Sequence, residues 1–343
     1  MAGGLLALDR AGANFQLISM AGGGSVVGLI YLAPRNMTRQ EGLQNTVNCG
    51  VSDPIYASFP VNYKLFNKPG HMAALYREAM RQSCWIGPLL DQRHMNNGQK
   101  LFSDWVQFQA AVMSPSSTTY YSKGLCAHAP FIESIVDFSK LAVVEEDVRL
   151  NAYCIEDHKV VEFTRSEIDI NHFRASLSFP FIYPPYRIGG KHYYEGASYQ
   201  TLDLLPPADE DDEGNRDRID DWADVDSVVL FDVLTPELIH RPRDLWDAYA
   251  QSIIVPLVAN AQSELVRFRR FIHRWGKRQG NAGKPAPRLY ELKASVPRSM
   301  LPSLLTWSRS NLEELFRIGF EAGLQLAHQW DEDGTLRRLQ ERP

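Results

Sequence analysis

One local pattern constrains this chain more than any other. A short apolar segment, Asn14-Phe-Gln-Leu-Ile-Ser19, runs into Met20-Ala-Gly-Gly-Gly-Ser25 and then into the apolar stretch Val26–Leu32, which stops before Pro34. The reading is strand, glycine turn, buried helix. An apolar strand needs neighbouring strands, and an apolar helix needs a sheet to cover, so the pattern demands an α/β core. The rest of the chain supports it. Helical patterns are expected at 3–11, 38–48, 71–82, 101–112, 245–277 (with Pro256 inside) and from Ser310 to about Trp330. The last is opened by Ser310-Asn-Leu-Glu313, which has the form of a capping box. Strands are expected at 148–155 and 159–163, joined as a hairpin, and at 228–233 and 288–292. The expected fold is a three-layer α/β sandwich with a mainly parallel central sheet and added helices. It is read as a single domain over 1–343, with an acidic loop at 208–226, a Gly/Pro linker at 279–287 and a C-terminal helical extension at 236–343.

Composition narrows the function classes. The 343 residues are 44% hydrophobic, enough for one large core, and the net charge of -5 gives no general attraction to nucleic acid. Cys49, Cys84, Cys126 and Cys154 are scattered and form no CxxC pair, which suits a reducing cytoplasm. His158, His192 and Asp157 lack metal-ligand spacing, so no metal or cofactor is expected. No apolar run reaches the roughly 18 residues of a membrane span, and the first residues lack the basic region of a signal peptide. Between Asp209 and Asp226 ten acidic residues face two arginines, the composition of a solvated loop.

The 4–24 segment, with its glycine turn Met20-Ala-Gly-Gly-Gly24, and the Ala175–Ala197 segment, with Pro184-Pro185, Gly189-Gly190 and Glu195-Gly196, together resemble the patatin-like phospholipase family. In the first, Gly4-Leu-Leu-Ala-Leu-Asp-Arg-Ala-Gly12 is similar to the family's leading helix, Phe15–Ser19 to its strand, and Met20–Gly24 falls on its GxSxG elbow. In the second, Ala175-Ser-Leu-Ser-Phe-Pro180, Tyr183-Pro-Pro185, Gly189-Gly190, Tyr193-Tyr194 and Glu195-Gly196-Ala197 resemble the stretch that ends in DGG or DGA. The resemblance implies a patatin-like fold, a lipid or acyl-ester ligand, and a serine–aspartate dyad. At the dyad positions this chain has Gly22 and Glu195. The family also places a strand and a glycine-rich oxyanion loop before its first helix. Here Ala2-Gly-Gly4 reads as the tail of such a loop, and a reading frame extending upstream is the expectation.

Gly22 has no side chain to attack an acyl carbon. The N–H groups of Gly23, Gly24 and Ser25 at a helix start can form an anion-binding nest, or the glycines can simply allow a tight turn. Ser25 is a displaced nucleophile or a packing residue. In a second register Gly22-Gly-Gly24 aligns with the oxyanion glycines and Ser52 with the nucleophile, although Pro54 and the polar residues before Gly50 speak against it. Glu195 is a base one methylene longer than aspartate, or a turn carboxylate. Phe179, Tyr183, Tyr194 and Gly196 are expected to line the pocket. Leu265–Arg278 is basic and amphipathic, fitting either an anionic bilayer or a core helix with a solvated face, and the acidic loop is a possible partner for it. Three function classes follow: a catalytically degenerate member that binds lipid or acyl ligand, an acyl hydrolase or acyltransferase using Ser25 or Ser52, and a non-catalytic scaffold or regulator.

Overall fold

A computed structural model describes residues 1–128, 130–202, 204, 225–275, 286–297 and 299–332. The elements are α1 (Ala2–Arg10), β1 (Leu17–Met20), α2 (Gly23–Leu32), α3 (Arg39–Asn45), α4 (Asp53–Ser58), α5 (His71–Gln82), α6 (Asn97–Met113) and α7 (Pro130–Ile135). They continue as β2 (Asp147–Cys154), β3 (Lys159–Thr164), α8 (Ile170–Ser176), β4 (Tyr186–Ile188), β5 (Lys191–Glu195), β6 (Ser227–Asp232), α9 (Leu245–His273), β7 (Arg288–Lys293) and α10 (Arg309–Glu332). The acidic loop falls almost wholly outside the described residues, as does most of the Gly/Pro linker.

The α/β class and a central sheet flanked by helices are as expected. Strand pairing is more mixed than expected. The ladders β1–β2 and β6–β7 are parallel, while β2–β3, β2–β5 and β4–β5 are antiparallel. Two of the three antiparallel ladders are hairpins, and the third, β2–β5, joins them. One turns through His158 at φ 53, and the other through Gly189 and Gly190 at φ 56 and 90. The second hairpin, β4–β5, is too short and too polar to read from its sequence.

The register around β2 positions the site. Residues 149–154 of β2 pair with β3 along one edge. Its other edge is shared: Asp147–Leu150 pair with β1, and Ala152–Cys154 pair with β5. Met20 lies beside Leu150, and Glu195 lies beside Ala152. Strand β5 therefore takes over the edge of β2 at the point where β1 turns away into α2.

The core follows from α2 and β2. Leu29, Ile30 and Tyr31 of α2 and Leu150, Ala152 and Cys154 of β2 are all buried in one cluster with Phe173 of α8. Burying an aliphatic or aromatic side chain of this size contributes about 1.5–3 kcal/mol, which explains why α2 can be apolar on every side. Helices α1 and α10 approach through glycines. A Cβ on Gly323 would lie 2.6 Å from the Gly4 carbonyl oxygen, and one on Gly3 would overlap the α10 backbone at Phe316. The capping box expected at Ser310 does not form. Helix α10 begins one residue earlier, and the Ser310 hydroxyl donates to Asp53 Oδ1 at 2.6 Å.

The basic amphipathic segment resolves as a core helix. Leu265, Phe268, Phe271 and Trp275 are buried with Leu204 and Leu230. Among its described residues, Leu265–Trp275, the apolar side chains Leu265, Phe268, Phe271 and Trp275 are committed to the protein's own core rather than offered to a bilayer. No helix among the described residues is long and apolar enough to cross a membrane.

Candidate active site at the elbow

Gly22 is the N-cap of α2 and has φ 50 and ψ -124. These are the dihedrals of the first central position of a type II′ turn, which glycine alone adopts without steric cost. The turn is closed by its own backbone. Gly24 N–H donates to the Ala21 carbonyl at 2.8 Å, and Ser25 N–H donates to the Gly22 carbonyl at 3.0 Å. Of the three N–H groups expected to form an anion nest, two are thus engaged within the turn. Gly23 N–H remains as the donor at the helix start.

Ser25 is fully buried, and its hydroxyl donates to the Gly22 carbonyl at 2.5 Å. It ties the first turn of α2 to the elbow from inside. Glu195 reaches the elbow from β5. Its carboxyl Oε1 occupies the space that a Cβ on Gly22 would fill. Glu195 is 8% exposed, and its backbone N–H donates to the Ser178 carbonyl at 3.0 Å. Burial pushes its carboxyl up to about 8, against a smaller downward pull from the neighbouring Ser198 hydroxyl. At neutral pH the group is mainly the uncharged acid.

The surrounding residues fix this carboxyl. Gly196 packs on Asn151, whose Oδ1 would overlap any Cβ at position 196. The Asn151 amide is fully buried and has no hydrogen-bond partner among the described residues. Tyr183 is buried, with its ring stacked on His128 at 5.1 Å. His128 Nε2 lies 2.9 Å from the Ser178 hydroxyl, and burial lowers its pKa to about 4, so the ring is neutral. Phe179 is half-buried beside them. Tyr194 alternates to the opposite face of β5 from Glu195 and so faces away from the carboxyl, contrary to expectation. Asn151, Ser178 and His128 were not legible as site residues. Asn151 and His128 are isolated in the sequence, and Ser178, although inside the Ala175–Pro180 stretch, has its place only through its bonds to the Glu195 backbone and His128.

Ser52 belongs to a different cluster. Its hydroxyl donates to Asp104 Oδ2 at 2.6 Å. Asp104 also pairs with Lys64 at 2.7 Å and with Arg309 at 2.9 Å, all three side chains being buried. Burial alone would raise the Asp104 pKa, but Lys64 and the hydroxyl and amide donors around it bring it below the ordinary carboxylate value. A carboxylate held that firmly is a weak proton acceptor for a serine hydroxyl.

The family model for patatin-like phospholipase matches residues 1–207, which contain both the elbow and Glu195. The chain belongs to the patatin-like phospholipase family. No curated protein matches this patatin-like chain. Among solved structures it is similar to VipD from Legionella pneumophila, at 10% identity and a TM-score of 0.33 over 96% of this chain. The chain spans 64% of that structure's length.

Proposed function

We propose that this patatin-like protein binds an acyl lipid or acyl ester at the elbow and does not cleave it through a serine. One observation carries the reading: the elbow residue is Gly22, and the carboxyl of Glu195 fills the place of the missing side chain. The backbone of a nucleophile elbow is kept, while the nucleophile is replaced by a buried acid. An uncharged carboxyl can donate a hydrogen bond, and it stands at the start of α2, where Gly23 N–H is also a donor. A carbonyl or phosphate oxygen is the group that two such donors suit. The buried Asn151 amide adds further hydrogen-bonding capacity nearby. We read the chain as one domain, since Phe15 and Phe231 pack against both the elbow core and the α1–α10 core. Its four cysteines are unpaired, which supports a reducing cytoplasmic setting.

An active-serine phosphonate, together with turnover of a lysophospholipid and a short-chain ester, tests the proposal. No adduct and no turnover are expected, with saturable binding of the lysophospholipid. A mass-shifted peptide carrying Ser25 or Ser52 would establish the displaced-nucleophile reading in its place. Failure to bind any acyl ligand would leave the scaffold reading.

A further inference from the structure

Helix α6 is folded with its polarity reversed. Ser103 and Asp104 are fully buried, whereas Leu101, Phe102, Trp105, Val112 and Met113 are 39%, 57%, 52%, 56% and 74% exposed. At about 100° per residue these five side chains fall within an arc of about 120°, opposite Ser103 and Asp104. They lie on one side of the helix, with the polar Gln109 on the same arc between Trp105 and Val112. The apolar surface extends to Phe59, which is 53% exposed and whose ring lies 4.7 Å from that of Phe108 on α6.

The interior beneath this face is ionic. Asp104 is held by Lys64, Arg309, Ser52 and Gln92, and the Ser103 hydroxyl donates to the Leu89 carbonyl at 2.5 Å. The usual arrangement, with apolar side chains inside and charges outside, is inverted along this helix. Buried polar groups and a large exposed apolar surface are each informative, and here they occur on one helix.

We infer that the exposed face of α6 docks on a phospholipid bilayer carrying anionic headgroups. Charge selects that occupant. Apart from the buried Lys64–Asp104 pair, residues 53–125 contain six Lys/Arg and three Asp/Glu, a net of +3 in a chain whose total is -5. Lys68 sits at the rim of the face, where its ammonium donates to the Val112 and Ser114 carbonyls at the end of α6. A tryptophan with aliphatic and aromatic neighbours and a cation at the rim is the composition of a membrane-interface surface. The inference rests on α6 and its surroundings and holds whether or not the elbow acts on an ester.

The test is co-sedimentation with vesicles of phosphatidylcholine alone and of phosphatidylcholine and phosphatidylserine in equal parts. The protein should bind the anionic vesicles, less strongly as salt is raised. F102S/W105S should weaken binding by at least about tenfold while the variant still unfolds cooperatively, since more than half of each side chain is exposed. R270E/R274E at the C-terminal end of α9 should leave binding unchanged. In the unaltered protein, brominated lipid should quench part of the tryptophan fluorescence, a readout that needs no variant to fold. Protein remaining in the supernatant with both vesicles would overturn the proposal, as would full binding by F102S/W105S. Self-association abolished by that variant, without vesicle binding, would also overturn it and assign the face to a second copy of the chain.

Discussion

Glu195 Oε1 occupies the volume that a side chain on Gly22 would need, so the two positions cannot be changed independently. A serine at position 22 meets the glutamate, and the shorter aspartate withdraws from it. G22S alone should destabilise the protein through two effects. Backbone strain at φ 50 costs about 1–3 kcal/mol, and overpacking against Glu195 costs a further ~1–3 kcal/mol. G22S/E195D should recover the overpacking part, and it is the variant expected to take a phosphonate label. Denaturant melts of the two single variants and the double variant give the coupling. Strictly additive effects would show that the carboxyl does not fill the serine's place.

The protonation of Glu195 makes stability depend on pH. Its carboxyl is raised from 4.5 to about 8 by burial, so between those values the folded protein keeps a proton that the unfolded chain has released. Stability is therefore fully present below the unfolded value and declines as pH rises through about 8. Glu195→Gln removes the titration while keeping the shape. The melting temperature of E195Q should gain on that of the parent by a few degrees from about pH 5 to about pH 8. A gap that stays constant with pH would mean that the carboxyl is solvated.

Ser25 should matter for stability and not for reactivity. Its hydroxyl donates to the Gly22 carbonyl at 2.5 Å with no exposed surface. Ser25→Ala should cost about 1 kcal/mol in denaturant unfolding, the worth of one buried hydrogen bond. Phosphonate labelling of the parent and of S25A should be the same. Labelling of the parent that is lost in S25A would identify Ser25 as a nucleophile.

Asp104 is the counter-charge for two buried cations. Asp104→Asn leaves Lys64 and Arg309 without it and should destabilise by about 3–5 kcal/mol, measured by urea unfolding. The Lys64 ammonium, already lowered to about 8 by burial, should titrate lower still in this variant. D104N/K64M removes one of the stranded charges and should recover part of the loss. A small effect for D104N would mean that water reaches the cluster.

The strand–turn–helix unit at 17–32, the β2–β3 hairpin and the long helices α9 and α10 were legible in the sequence, because periodicity and glycine placement act over a few neighbouring residues. The positions of Gly22 in the glycine turn and of Glu195 at the end of its strand were legible in the same way, through fixed spacing within two short segments. The ionic centre under α6 was not. Lys64, Gln92, Asp104 and Arg309 are far apart along the chain, and each alone reads as a surface residue. The apolar stripe of α6 read as an aromatic-rich helix with no indication of which side it would bury. For Leu265–Trp275 the sequence left bilayer and core both open, and packing against Leu204 and Leu230 favoured the core.

The sequence by itself determined which chemical groups exist at the elbow: a glycine with no hydroxyl, a glutamate, and a serine one helical turn further on. Only the tertiary structure decided where they stand. Strand β2 has a single edge shared in turn by β1 and β5, so Glu195 arrives where β1 leaves, and its carboxyl enters the volume that Gly22 vacates. That meeting depends on ladder register between segments more than a hundred residues apart, which no local pattern encodes. The state of the acid follows from the same meeting, because it is burial at the junction of two strands that keeps the proton on Glu195.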